Sequence, residues 1–178
     1  MQRLALLLFW SYAEYVSATH KFKLIESDRL RPGTRMAFTA GELNAYVQQE
    51  AAEAFPAGVR APKLVLTNGG ATGTAFIDFG KVRRAQGHPP GWLMAKLLDG
   101  ERPVEVAAQI RSGGGRAEVD VQSVKISGHA IEGRALDFLI RYYLQPNYPD
   151  AKVGTPFELQ HRIERLDVKP GSVNVIIR

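Results

Sequence analysis

The side chains able to do acid–base, metal or nucleophilic chemistry are few in this chain and widely spaced. Its four histidines stand at 20, 88, 129 and 161, none at metal-ligand spacing and none in an H-E-x-x-H arrangement. No cysteine is present, which removes thiolate nucleophiles, cysteine-type zinc sites and disulfides. Asp78, Asp99, Asp120 and Asp137 fall in separate segments. Alternating acids such as Glu118 and Asp120 read as the solvated face of a strand rather than as paired carboxylates. The run "SGGGR" at 112–116 is glycine-rich. It joins two strands and lacks the G-x-x-x-x-G-K-[ST] pattern, whereas a phosphate loop opens a helix. No G-x-S-x-G marks a serine hydrolase. An enzyme reading would need a cleft gathering at least two of Asp78, Asp99, Asp137 and His129. No such constellation is written in the sequence, so the expectation is a non-enzymatic protein without a cofactor or metal, and function is pushed toward binding.

The densest apolar group is "GHPPGWLMAKLLDG", residues 87–100. Trp92, Leu93, Met94, Leu97 and Leu98 crowd together with only Lys96 charged among them. Three consecutive apolar residues on a helix cannot all face one core. At least one is expected to be exposed, or to face a ligand or a membrane. A Trp ring is well placed at a water boundary, since its body is apolar and its N–H stays wet. Lys81, Arg83, Arg84 and Lys96 lie close enough in sequence to meet anionic headgroups. The expected membrane contacts are therefore Trp92, Leu93, Met94, Arg83 and Arg84. The other readings of this segment are a core plug at one end of a sheet and a contact for a protein partner.

The 178 residues suit one domain, and the net charge of +5 is mildly basic. Apart from Lys81, Arg83 and Arg84, the basic residues are scattered and mostly alternate with acids. A nucleic-acid binder would concentrate them on one face among aromatics, so no nucleic-acid partner is expected. The charge suits anionic lipid headgroups equally well.

The N-terminus, "MQRLALLLFWSYAEYVSATHK", has Arg3, an apolar run Leu4–Trp10 and the small-residue site Val16-Ser17-Ala18. This is the pattern of a secretory signal over residues 1–18. It leaves 19–178 as a single domain in the periplasm or outside the cell. The alternatives are an amphipathic N-terminal helix and an uncleaved anchor. The run is too short to span a bilayer unaided, which takes about 20 apolar residues.

Residues 19–37 read as charged and irregular. Thr39 and Glu42 then form a capping box, with Phe38 and Leu43 as its hydrophobic staple. Ala40, Leu43, Tyr46, Val47, Ala51 and Ala54 keep helical spacing up to Pro56. Residues 63–84 read as a hairpin turning at Asn68-Gly69-Gly70. Val104, Val106, Ala108 and Ile110 alternate along the next strand, and Ala117, Val119 and Val121 along its partner beyond a turn at Ser112–Gly115. The apolar phase then shifts to Val124 and Ile126, which predicts a β-bulge near Gln122–Ser123. Each of these strands is about ten residues, near 33 Å at the usual rise. Leu136, Leu139, Ile140 and Tyr143 form the stripe of a helix after Gly133. "FELQHRIERLDVK" and "SVNVIIR" read as a closing hairpin turning at Pro170-Gly171. The fold class expected is α+β: a long, curved, bulged antiparallel sheet wrapped around one long helix, with a second helix and a short end-capping helix.

Four stretches together carry a resemblance: "FTAGELNAYV", "PVEVAAQIRSGGGRAEVDVQSVKISG", "ISGHAIEGRALDFLI" and "IERLDVKPGSVNVII". Their order of capped helix, long hairpin, sheet-to-helix crossing and final hairpin resembles small bacterial envelope proteins related to the tubular lipid-binding (TULIP, or BPI-like) superfamily. The resemblance covers roughly residues 38–178 and rests on the pattern of elements. It implies a curved sheet around a helix and an apolar interior or groove for acyl chains, with a role in lipid binding or transfer. The chain is short for that superfamily. The ligand-wall residues expected on this reading are Leu43, Val47, Ile77, Phe79, Trp92, Leu93, Leu97, Val106, Ile110, Val119, Leu136, Ile140 and Tyr143. The contrasting expectation is a structural or interaction protein of the envelope with a closed core, in which Trp92–Leu98 and the sheet edges are partner surfaces.

Overall fold

The computed structural model of the chain describes residues 2–50, 57–87, 100–146 and 154–178, with residues 2–10 and 144 described by backbone only. It is an α+β structure whose strands form two antiparallel sheets among the described residues.

The small sheet holds the two ends of the described chain together. Strand β1 (Arg35–Thr39) pairs with β9 (Ser172–Ile177), and β9 pairs with β8 (Ile163–Lys169) across the Pro170-Gly171 turn. Against it lie helix α1 (Gln2–Glu26) and helix α2 (Ala40–Gln49). Ile25, Phe38, Val175 and Ile177 form their shared core, joined by Phe22, Met36, Leu43 and Leu166. Thr39 caps α2 as expected. Its hydroxyl accepts from the Glu42 N–H while the Glu42 carboxylate accepts from the Thr39 N–H, which satisfies two orphan donors at once.

Residues 19–37 are more ordered than their charge pattern suggests. Helix α1 continues to Glu26, because Ala18, Phe22 and Ile25 share a face that packs inward. The expected cleavage motif Val16-Ser17-Ala18 therefore lies inside α1, with Ala18 fully buried.

The large sheet runs β2 (Val59–Thr67), β3 (Gly70–Asp78), β4 (Glu101–Gly113), β5 (Arg116–Ile126) and β6 (His129–Ala130), with β7 (Phe157–Glu158) also on β5. The bulge lies where the change of phase puts it. Ala107 faces Ser123 and Ala108 faces Val121, so Gln122 is the extra residue. A second bulge interrupts β2, where the register slips between Arg60 and Lys63 around Ala61 and Pro62. Pro62 has no N–H to give a ladder, which suits it to such a position.

Two expectations need correction. The hairpin does not continue to residue 84. The Asp78 carboxylate accepts from the Lys81 N–H at 2.9 Å, ends β3 and caps a short helix, α3 (Phe79–Ala85), which buries Phe79 and Val82. The segment "FELQHRIERLDVK" is not one strand. β7 and β8 are separated by a turn in which His161 and Arg162 both take positive φ. The helix after Gly133, α4 (Gly133–Leu139), ends in a π-helical turn over Ile140–Leu144.

The hairpin turns of the large sheet are clipped to β8. Gly69 N–H donates to the Val168 carbonyl at 3.0 Å and Gly115 N–H to the Glu164 carbonyl at 2.9 Å. The Ser112 hydroxyl also accepts from the Leu166 N–H at 2.8 Å and donates to its carbonyl at 2.9 Å. One end of the large sheet is thus held by the small sheet, and α3 follows from its opposite end.

Candidate functional site: an apolar cavity

Antiparallel pairing sets the cavity-facing residues of the large sheet in rows. Leu64, Gly73, Val106 and Val124 stand in one row, and Ala75, Val104 and Ile126 in the next. Val59 and Ile77 follow toward the end that leads into α3. The bulge at Gln122 matters here, because without it Val121 and Val124 would point to opposite faces. The bulge in β2 similarly brings Val59 onto the face of buried Pro62 and of Leu64, since Val59 and Pro62 stand three positions apart.

Over this face stand Phe79 and Val82 from α3, Leu136, Leu139, Ile140 and Tyr143 from α4 and its π turn, and Val47 from α2. Sheet and helices do not close on one another. They leave a cavity of about 440 Å³ lined almost wholly by carbon. That is within the range of small-molecule sites. Gly73 helps to leave it open. A β-carbon added there would meet nothing within 4 Å, and its φ lies outside the left-handed region.

Polar contacts clasp α4 to α3. The Arg83 guanidinium donates to the Tyr142 carbonyl at 3.0 Å and lies over the rings of Tyr142 and Tyr143 at 5.5 and 5.8 Å. Gln86 donates to the Tyr143 carbonyl at 3.2 Å. The Phe79 and Tyr143 rings meet edge to face at 5.1 Å. Burial raises the Tyr143 phenol above its ordinary 10.0, against a smaller lowering by Arg83. α4 buries none of its residues fully; its apolar stripe faces the cavity.

Of the wall residues expected from sequence, Val47, Ile77, Phe79, Val106, Leu136, Ile140 and Tyr143 line the cavity. Leu43 instead packs against the core between α1, α2 and the small sheet. Ile110 and Val119 pair across β4 and β5 nearer the clipped turns and lie outside the lining. Trp92, Leu93, Met94 and Leu97 fall outside the described residues. Of the expected headgroup contacts, Arg84 is exposed while Arg83 is half-buried over the tyrosine rings.

The acidic candidates are dispersed. Asp78 caps α3 and pairs with Lys81 at 3.5 Å. Asp137 is exposed, and so is His129, whose Nδ1 lies 3.0 Å from the Ser127 carbonyl. Asp99 is outside the described residues. No group of three His, Cys, Asp or Glu that could hold a metal occurs among the described residues.

Sequence reasoning passed over Val59, Pro62, Leu64, Gly73, Ala75 and Val82 as wall positions. Proline inside a strand was the available signal for the β2 bulge. An aspartate three residues before Lys81 was the available signal for the cap of α3. No protein-family model, curated protein or solved structure matches the chain.

Proposed function

We propose that the protein binds, or carries between membranes, a lipid held by its acyl chain, without catalysis, at the bacterial cell envelope. The observation that carries this reading is the open, carbon-lined cavity of about 440 Å³ between the large sheet and helices α3 and α4. A closed core would bring Leu136 and Ile140 down onto Val104 and Val106, since apolar interiors normally pack without voids. An alkyl chain in that space contributes about 0.8 kcal/mol per buried methylene and needs no polar partner in the wall.

On this reading the bulged sheet curves around its helical layer, as in the tubular lipid-binding proteins that the element pattern resembles. The Trp92 segment, with exposed Arg84, touches the membrane during loading. The N-terminal export pattern supports an envelope location. Burial of Ala18 within α1 favours the alternative in which this segment is retained as an N-terminal helix of the mature protein. Among the described residues no helix is long and apolar enough to cross a membrane.

The test is native mass spectrometry of the full chain purified without detergent, followed by solvent extraction of what co-purifies. A stoichiometric lipid adduct, diminished in a folded Ile140→Asp variant, is the expected result. A clean mass with no uptake from phospholipid vesicles overturns the reading.

A further inference from the structure

Resting on the acyl-binding reading, the cavity has a recognisable head end and tail end. Arg102 pairs with Ile77 in the β3–β4 register, and the next cavity-facing pair is Val104 with Ala75. Arg102 therefore stands on the same face as the cavity lining, one step beyond it. It is half-buried, and its guanidinium has no ion pair or hydrogen bond among the described residues. Three pairs of charges on the opposite face are matched, Arg60 with Glu101 at 2.7 Å, Lys125 with Glu105 at 2.8 Å and Arg111 with Glu118 at 3.0 Å, while Lys63 on that face is exposed to solvent. An unmatched cation at the rim of an otherwise carbon-lined space calls for an anion on the ligand.

Gly73 marks the other end. It faces Val106, four residues along β4 from Arg102, which is about 13 Å at the usual strand rise. Glycine inside a strand weakens it unless something must approach the backbone closely. At Gly70 that something is the Ala108 carbonyl. At Gly73 there is neither a left-handed φ nor a neighbour within 4 Å.

We infer that the ligand is an anionic single-chain amphiphile, its head paired with Arg102 and its alkyl tail running over Gly73.

Three probes with the same tail and different heads test this: laurate, lauryl alcohol and dodecyltrimethylammonium, each competing against Nile red on the full chain. Laurate should bind about tenfold tighter than the alcohol, the size of one charge-assisted contact, and the cation should bind weakest. Arg102→Gln should bring laurate down to the alcohol's affinity and leave the alcohol unchanged. Arg102→Lys should restore part of the preference. Gly73→Leu should weaken all three probes without lowering the thermal midpoint. An undiminished laurate preference in Arg102→Gln overturns the head assignment, and unchanged affinities in Gly73→Leu overturn the tail path. If the unmodified protein binds none of the three, the acyl-binding reading itself fails, a result distinct from loss of head selectivity alone.

Discussion

Asn44 pairs with Leu64 as a neighbouring strand would. Its carboxamide oxygen accepts from the Leu64 N–H at 2.7 Å, and its Nδ2 donates to the Leu64 carbonyl at 2.8 Å. β2 is the terminal strand of the large sheet, so one side chain of α2 covers part of an edge that would otherwise offer free backbone groups to another chain. Asn44→Ala leaves both Leu64 groups unpaired beside the cavity. The expected loss is about 2–4 kcal/mol, seen as a lower urea midpoint at unchanged m-value.

Two glycines of β3 should respond to alanine in opposite ways. A β-carbon on Gly70 would press against the Ala108 carbonyl oxygen, a backbone atom that cannot swing aside. Gly70→Ala should destabilise the sheet by about 1–3 kcal/mol. Gly73→Ala meets open space and restricts the unfolded chain, so it should stabilise by about 0.4–1 kcal/mol. Thermal unfolding of the two variants side by side checks this. Equal destabilisation would mean that the space over Gly73 is not open.

The clasp between α3 and α4 is built from side chains donating to carbonyls at the end of a helix. Arg83→Met removes one donor and the cation above Tyr142 and Tyr143. Amide exchange across residues 133–146 should accelerate several-fold in this variant, by about 1 kcal/mol of local opening. Exchange in β3 and β4 should stay unchanged. Acceleration in both regions would show that α4 opens only with the whole fold.

Glu42 is the buried carboxylate where α1 meets α2. Burial pushes its carboxyl up. The Lys21 ammonium at 2.6 Å, the Ser17 hydroxyl and the Thr39 N–H outweigh that and hold it below its ordinary 4.5. A carboxyl depressed in the folded state contributes stability that is present above the ordinary value and is lost as pH falls through the lowered one. Unfolding free energy should therefore decline as pH is taken down from about 4.5, and Glu42→Gln should remove part of that slope. Lys21→Met should cost about 1–3 kcal/mol at neutral pH, less than for a fully enclosed pair because the ammonium is partly wet.

A chain beginning at Thr19 loses the Tyr15–Glu50 hydrogen bond of 2.6 Å, the Ser17–Glu42 bond and the packing of Ala18. Its unfolding free energy should fall by about 2–4 kcal/mol relative to the full chain. An equal midpoint would show that the first turns of α1 contribute nothing to the folded body.

Features with a local physical cause were legible in the sequence. The capping box at Thr39 and Glu42, the change of phase that required an extra residue at Gln122, and the Leu136–Tyr143 stripe all follow from neighbours within one element. What was not legible depends on distant partners. The face of α1 containing Ala18 and Ile25 is interpretable only with α2 and β9 beside it, because Ala18 also satisfies an export pattern and Ile25 falls in a stretch whose charges read as irregular. Ile110 and Val119 lie on the cavity's side of the sheet, but alternation specifies a face and not how far along it the cavity extends. Val82 could be read as strand because Asp78 stops β3 through a single side-chain bond.

The small sheet also imposes an order of assembly. β2 through β5 pair with their immediate neighbours in sequence, so the large sheet can form from short-range encounters as the chain emerges. β1 must wait, since Arg35 finds its partner only at Ile176, and closing so long a loop is slow. A nascent chain interrupted before β9 would carry a nearly complete cavity wall while the side of Phe38 that β9 covers stayed wet. That intermediate, with an apolar cavity formed and an unpaired strand exposed, is the species for which a folding helper would be most needed.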